Sequence, residues 1–387
     1  MSWQRVVSIT LFALLGVFAI PSASSSSSGA GTTREATDVP LRTAEGFVPN
    51  SIGRPVDGRY CIAGAVVDDD ARKTAVVMMV DTRRPRLEWM TPIKPSPDYA
   101  GNTAIRCVTI GGDIYAVLQE HSHTQASLDQ TRVVAVRLSS TGKLVKQRPL
   151  AVGFDEWSYQ IDANATSVSI VGGTNSELDR SGHSSTFVAQ FDRSLARTAT
   201  LRQPQGAFWT GTQARVDGGY LLVGGQFMPN VNGSGGRAAF AVSKIDLVRD
   251  KYVWSSYPPP ADARSSMAAF APDGSSYVAA VGPAHLVISH IDPAGSLTDS
   301  YAIEKSMCRV SAVTINSSVF GILGAACEDP SLVVAVLIDV AKKGVVSTQP
   351  IGRGIKSPTF DGDGWAGIQQ SETGGVAFRR GTLKGLR

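Results

Sequence analysis

Several common signatures of function are missing from this sequence of 387 residues. It contains no GxSxG or HExxH motif and no CxxC pair, which argues against the usual serine hydrolases, zinc proteases, zinc knuckles and thioredoxin-like proteins. Lysines and arginines form no cluster, and a formal net charge of +4 is too small for a nucleic-acid interface. After the N-terminus, neither helical spacing over twelve residues nor a long apolar run appears. We therefore predict no nucleic-acid partner, no membrane-spanning segment in the mature protein and no cofactor.

The one long apolar run lies at the N-terminus. Residues 1–5 carry one positive charge, residues 6–20 are uncharged and apolar, and Ser22-Ala23-Ser24 offers small residues for cleavage. This order is typical of a secretory signal peptide, whereas fifteen apolar residues fall short of the roughly 20 that a spanning helix needs. We predict a signal peptide over 1–24, a flexible Ser/Thr-rich leader over 25–44, and a secreted or periplasmic product.

A repeated phrase organises the rest of the chain: an apolar strand that ends in an acidic or small polar residue. Six copies occur at intervals of 46 to 58 residues, ending at Asp81, Ser139, Asp192, Asp246, Asp292 and Asp339, and a weaker seventh lies at 376–380. Self-similarity near this period is typical of propeller blades. A second apolar strand precedes each phrase, often after a turn pair such as Asp57-Gly58. We predict one all-β domain over 45–387, a seven-bladed β-propeller of four-stranded antiparallel blades, with six blades as the alternative.

The repeat resembles those of bacterial secreted propellers, such as PQQ-like repeats, in which the strand-ending Asp is followed by a turn and a Trp. Asp81 to Trp89 and Asp246 to Trp254 follow this form, and Gly172-Gly173 looks like part of a kelch repeat. The remaining copies lack the Trp, and the Tyr and Trp of a kelch repeat are missing. The resemblance implies an architecture and no activity, because propellers host many functions.

The four cysteines suit an oxidising compartment. Cys308 and Cys327 lie symmetrically about a turn at Ser317-Ser318, which places them opposite each other in a hairpin and predicts a disulfide. Cys61 falls in the second strand of the first blade and Cys107 in the first strand of the second blade. We predict that they clip the two blades together, with two buried thiols as the alternative.

Loops that link second to third strands, and loops that link one blade to the next, share one end of a propeller, which we call the upper face. The second-to-third-strand loops of the second, third and fourth blades are long, near 120–130, 174–183 and 226–237. Aromatic residues of the inter-blade loops join them there, unless these rings pack between blades as core. The predicted ligand-binding face comprises Tyr99, His121, His123, Trp157, Glu177, Asp179, His183, Trp209, Phe227 and Tyr257.

The stretch Asp361-Gly362-Asp363-Gly364 resembles the start of a calcium loop, so Asp361 and Asp363 are the metal candidates. The acidic residues that should follow are replaced by Trp365-Ala366-Gly367, which favours a plain hairpin turn.

Uneven loops without a catalytic motif favour a binding or scaffold module that presents its upper face to a protein or glycan partner. One alternative is a secreted hydrolase with carboxylates at the central channel, for which Asp98, Asp155, Glu156 and Asp262 are the candidates. A structural component of the cell envelope is the other. The sequence leaves the oligomeric state open.

Overall fold

The computed structural model describes residues 37–42, 46–122, 131–153, 155–175, 184–203, 206–209, 212–229, 238–370 and 375–386. Across these ranges the regular secondary structure consists of β-strands, without a helix. A helix long and apolar enough to cross a membrane is accordingly not found in the described residues.

The first three antiparallel units of four strands come from the N-terminal half of the chain, and we number them as blades 1, 2 and 3. Blade 1 contains β2 (Phe47–Ile52), β3 (Arg59–Val67), β4 (Lys73–Asp81) and β5 (Arg86–Ile93). Blade 2 contains β6 (Tyr99–Ile110), β7 (Asp113–Ser122), β8 (Thr131–Leu138) and β9 (Leu144–Pro149). Blade 3 contains β10 (Asp155–Ala163), β11 (Ser167–Asn175), β12 (Ser184–Asp192) and β13 (Arg197–Gln203).

Three further units follow in the same order of strands. Blade 4 contains β15 (Gln213–Asp217), β16 (Tyr220–Pro229), β17 (Ala239–Asp246) and β18 (Lys251–Ser256), and the short β14 (Gly206–Phe208) joins it to blade 3. Blade 5 contains β19 (Ser265–Phe270), β20 (Ser276–Val281), β21 (His285–Ile291) and β22 (Leu297–Glu304). Blade 6 contains β23 (Met307–Asn316), β24 (Val319–Ala326), β25 (Leu332–Asp339) and β26 (Gly344–Arg353).

The last unit, blade 7, draws its strands from both ends of the described chain. It contains β27 (Ile355–Asp361), β28 (Gly364–Gln370), β29 (Val376–Thr382) and, as the outermost strand, β1 (Thr37–Leu41). The first strands of the seven units contact one another in sequence order, and β27 of blade 7 contacts β2 of blade 1. The units therefore form a closed ring, and the all-β propeller prediction is confirmed.

The strand β1 lies inside the segment 25–44 that we expected to be a flexible leader, so the end of that segment was wrong. Val39 and Leu41 alternate with exposed residues and are 0% and 5% exposed, packed in the cluster between blades 7 and 1. Two buried side chains and a full ladder with β29 hold this strand in place. The remainder of the expected leader and the whole predicted signal peptide lie outside the described residues.

The third strands of blades 1 and 6 are apolar along most of their length because both of their faces are covered. In β4, Val77 and Met79 pack towards blade 2, whereas Val76, Met78 and Val80 pack towards blade 7. Successive side chains of a strand point to opposite faces, so a blade between two neighbours needs an unbroken apolar run rather than an alternating one.

The polar residue that ends each repeated phrase holds the turn between the third and fourth strands. Carboxylate oxygens accept backbone N–H groups two to four residues further on, at Asp81, Asp192, Asp246, Asp292 and Asp339. In blade 2 the hydroxyl of Ser139 takes the same role. The repeated phrase thus ends in a turn motif, in which the oxygen of a short polar side chain accepts the backbone N–H groups of the turn.

These turns predict a loss of stability in acid. The backbone N–H of Arg249 holds the pKa of Asp246 below its usual value, and the Ser194 hydroxyl does so for Asp192. A lowered folded-state pKa adds stability above the unfolded value of about 3.9, and that stability is lost as the pH falls through the folded value. We expect the Tm to fall between about pH 5 and pH 3, and thermal scans should show a smaller fall for Asp246→Asn. Parallel curves would contradict this assignment.

The two tryptophans that follow the strand-ending aspartates connect neighbouring blades. Trp89 donates its indole N–H to the Ser140 carbonyl at 3.0 Å, and Trp254 donates to that of Pro293 at 3.2 Å. Each ring lies against a turn glycine of the next blade, where a Cβ on Gly142 or Gly295 would approach within 2.6 Å and 2.5 Å. The Trp of the repeat therefore docks one blade on the next.

Both predicted disulfides are present, and the described residues contain no free cysteine. Cys61 and Cys107 join β3 to β6 in the core between blades 1 and 2, and both are almost fully buried. Cys308 and Cys327 are exposed at the upper end of blade 6. One bridge thus staples two blades, and the other closes a hairpin within one blade.

Bulges interrupt most of the first strands, and neighbouring blades use the carbonyls that lie there. The side chain of Asn50 in β2 donates to Ala104 O in β6, beside the bulge after that residue. Arg106 in β6 donates to Tyr159 O in β10, and Ser357 in β27 donates to Pro49 O in β2. A bulge removes a residue from the ladder, and here a carbonyl at or next to each of these bulges accepts a hydrogen bond from the preceding blade.

Candidate functional site

The upper face is defined by strand register. Tyr99 at the start of β6 pairs with Ser122 at the end of β7, and Asp155 at the start of β10 pairs with Asn175 at the end of β11. First strands therefore begin where second strands end. The central parts of the three long loops lie outside the described residues, and so do four predicted face residues, His123, Glu177, Asp179 and His183.

Trp157, at the upper end of β10, lies flat on the backbone of β11. It pairs with Gly173, where a Cβ would come within 2.4 Å of the indole ring, so only glycine leaves room for this packing. Its indole N–H lies 3.0 Å from the carbonyl oxygen of Phe208 and 2.9 Å from the Tyr159 hydroxyl. The Tyr159 hydroxyl also donates to Phe208 O, and burial raises the pKa of Tyr159 well above its usual value. The glycine pair that looks kelch-like serves to seat this tryptophan.

Trp209 stacks on Trp157 and forms the outer layer of the pair. The ring centroids are 4.5 Å apart and the planes differ by 23°. Trp209 follows β14, and its backbone N–H donates to Gln226 O at 2.7 Å. It nevertheless remains 42% exposed, which is unusual for a ring of this size held on a short strand. We call Trp157, Trp209, Met228 and Tyr257 the aromatic platform.

The other two platform residues lie on blade 4. Met228 is 39% exposed next to Ala207 of β14, and Tyr257 is 56% exposed just after β18. Phe227 was predicted for this face, but that prediction is wrong. Its ring is 5% exposed and packs against Phe208 at 5.0 Å between centroids. Successive strand residues point to opposite sides, so Phe227 enters the core and Met228 faces out.

At blade 2, an ionic network occupies the predicted face. Glu120 is 1% exposed, pairs with Arg132 at 2.6 Å and accepts hydrogen bonds from Ser96 N and Oγ. The Arg132 guanidinium lies 4.4 Å from the ring centroid of Tyr99 and covers it. His121 follows Glu120 and pairs with Thr131 at the upper end of β8. Tyr99 is therefore covered by a side chain of the protein itself, and the ion pair and hydrogen bonds of Glu120 hold this part of the upper face in place.

Two of the four channel carboxylates proposed for a hydrolase are bound within the protein. Glu156 is 1% exposed, and its oxygens accept the backbone N–H groups of Val133, Val152 and Gly153. Asp155 accepts the N–H of Thr131 at 3.1 Å. Glu156 anchors the loop that enters blade 3, because a buried carboxylate requires such donors. Asp98 and Asp262 are exposed at the inter-blade loops.

The metal candidates form a hairpin turn. Asp361 pairs with Gly364 across the turn, accepts a hydrogen bond from the Tyr60 hydroxyl and lies 3.5 Å from an Nη of Arg380. Asp363 accepts the backbone N–H of Leu383 through its carbonyl oxygen. Within the described ranges, no group of three or more metal-binding side chains occurs. Asp361 thus forms an ion pair within blade 7 and accepts a hydrogen bond from Tyr60 of blade 1.

Comparison with known proteins supports the fold. No family model matches the chain, and neither does a curated protein. Sqt1 of Saccharomyces cerevisiae superposes with a TM-score of 0.52 at 10% identity, over 84% of this chain and 81% of Sqt1. The β-propeller domain of the Trilobed protease from Pyrococcus furiosus, which has an open Velcro topology, gives 0.51 at 9% identity, over 87% of this chain and 94% of that domain.

These similarities, together with the closed ring of four-stranded units, define the chain as a β-propeller. Identities near 10% carry the fold alone, because one propeller architecture supports unrelated activities. Any function must therefore be argued from the residues of this chain itself.

Proposed function

We propose that this β-propeller is a binding module and that a protein partner docks on the aromatic platform of blades 3 and 4. The exposure of Trp209 carries the proposal. The ring is fixed by its stacking on Trp157 and by the anchored backbone of β14, so it loses little side-chain entropy on binding. Rigid tryptophans of this kind are the usual centres of binding energy at interfaces.

The composition of the platform favours a protein over a glycan. Sugars stack on flat rings, whereas Met228 adds a flexible apolar side chain beside Trp209 and offers no flat surface. Tyrosine, tryptophan and methionine together are the residue types enriched in protein interfaces. Blade 2 adds to the upper face the side chain of Arg132, which is 25% exposed and is held by the buried Glu120.

The two disulfides are compatible with an extracellular location. We propose that the chain is secreted or periplasmic, with residues 1–24 as its signal peptide, and that its partner belongs to that compartment. The alternative from the sequence analysis, a structural component of the cell envelope, predicts instead that the protein copurifies stably with envelope proteins.

The first test is capture of a partner by purified protein that begins near residue 30. We expect Trp209→Ala to weaken binding of the captured partner by about 30-fold or more, as truncation of a central interface tryptophan costs about 2 kcal/mol. Affinity would be measured by calorimetry with the identified partner.

Tyr220→Ala is the matched control, because this tyrosine is 36% exposed at the start of β16, at the opposite end of blade 4. It should bind the partner as the native protein does. Equal affinity of the native protein and Trp209→Ala would reject the platform as the docking surface. If the native protein bound a defined glycan on an array and Trp209→Ala did not, the partner would be a glycan rather than a protein.

A further inference from the structure

A cluster of polar side chains lies between the first strands of blades 2 and 3, on the side of β10 opposite to Trp157. Arg106 is directly opposite Val117 in the ladder, and Val117 packs in the core shared with blade 3. Residues opposite each other in a ladder share a face, so Arg106 projects towards blade 3. Its Nε–H donates to Tyr159 O of β10 at 2.7 Å, which places the guanidinium against that strand.

The guanidinium of Arg106 has no anionic partner in the described part of the chain. The Tyr159 carbonyl is the acceptor found there, although a guanidinium carries five N–H donors. Burial lowers the pKa of Arg106, with no carboxylate acting against this shift. Arg106 is half-buried, so its remaining N–H groups can be satisfied by water or by an added anion.

Two hydroxyl groups of the same interface are also unsatisfied among the described residues. Thr103 is opposite Gln119, whose amide reaches Glu156 O of blade 3, so Thr103 faces blade 3 as Arg106 does. Ser158 precedes Tyr159 and is opposite Gly172 in the ladder. A Cβ on Gly172 would meet a ring of the core between blades 2 and 3, so Ser158 faces blade 2. Ser158 is only 8% exposed, and its Oγ and the Oγ1 of Thr103 are buried without a partner.

We propose that Arg106, Thr103 and Ser158 form a binding site for a small oxyanion, a carboxylate or a phosphate, at the wall of the central channel. The free N–H groups of a guanidinium match two oxygens of such an anion, and two hydroxyls supply further donors. The nearby carboxylate of Glu156 does not compete, because three backbone N–H groups occupy its oxygens. This site goes beyond the proposed docking function and is independent of Trp209.

The test is a thermal and calorimetric titration of the full propeller with inorganic phosphate and, separately, with acetate. Sodium chloride at equal ionic strength controls for screening. We expect phosphate or acetate to raise the Tm of the native protein more than sodium chloride does. The anion with the larger rise shows whether the site binds a phosphate or a carboxylate. Arg106→Gln should weaken the binding of that anion by about tenfold or more, because the charge-assisted hydrogen bonds to it are lost.

Arg106→Gln removes a half-buried cation and retains a side-chain N–H for the Tyr159 carbonyl, so its Tm without added anion should stay close to the native value. Arg309→Gln, on the first strand of blade 6, is the matched control and should retain the native anion response. If Arg106→Gln does not fold, the double variant Thr103→Val/Ser158→Ala supplies the same test with isosteric changes. A native protein without an anion-specific rise, or an equal rise in native and variant proteins, would overturn the proposal.

Discussion

A chain that begins at residue 45 is expected to be about 3–6 kcal/mol less stable than one that begins at residue 30, because it lacks β1. Burial of an aliphatic side chain contributes about 1.5–3 kcal/mol, and β1 buries both Val39 and Leu41. The shorter chain also leaves β29 as an unpaired edge, which favours aggregation. Urea unfolding of the two chains measures the difference.

Asp38→Ala in the longer chain is the matched control. Asp38 is exposed on β1 and forms a surface ion pair with Arg379 at 2.6 Å, and such pairs contribute about 1 kcal/mol or less. Its unfolding midpoint should therefore stay close to the native value. Equal midpoints for the chains that begin at residues 30 and 45 would show that β1 does not stabilise the ring.

Removal of the disulfide between blades 1 and 2 is expected to have an effect of similar size. The bridge closes a loop over a sequence separation of 46 residues, which corresponds to about 4 kcal/mol of unfolded-state entropy. Cys61→Ala/Cys107→Ala should lower the free energy of unfolding by about that amount. A urea midpoint unchanged from that of the native protein would contradict this expectation.

Cys308→Ala/Cys327→Ala provides the comparison, because its bridge spans 19 residues and corresponds to about 3 kcal/mol. The two bridges also differ in access, since Cys61 and Cys107 are 0% and 2% exposed and the other pair is exposed. A thiol reductant must reach a sulfur atom, so mild reduction should open Cys308–Cys327 first. Alkylation and mass spectrometry of the released thiols would show the order.

The architecture was predictable because its main signal repeats. Each strand-ending Asp is fixed by the local requirement of a turn, and each apolar run by burial on two faces, so both recur in most blades whatever the function. The disulfides followed from the same register. The strand β1 was not predictable in this way, since only Val39 and Leu41 mark it and its partner lies at the other end of the chain.

The upper face was predictable to a lesser degree. Strand order alone placed Trp157, Trp209 and Tyr257 at the upper ends of blades 3 and 4, although Trp157 lies within β10 rather than in an inter-blade loop. The choice between Phe227 and Met228 depended on which of two adjacent residues points outward, and a shift of one residue exchanges the faces. Glu156 shows the same limit, because nothing in the local sequence indicates that three backbone N–H groups meet its carboxylate.

Closure of blade 7 also imposes an order on the formation of the molecule. Thr37 pairs with Arg380, so β1 has to wait until β29 has been synthesised before the hydrogen bonds between them can form. Contacts between residues so far apart in sequence carry a large loop-closure cost and form slowly. A polypeptide cut short before β29 would keep β1 unpaired, so ring closure requires a chain that extends through β29.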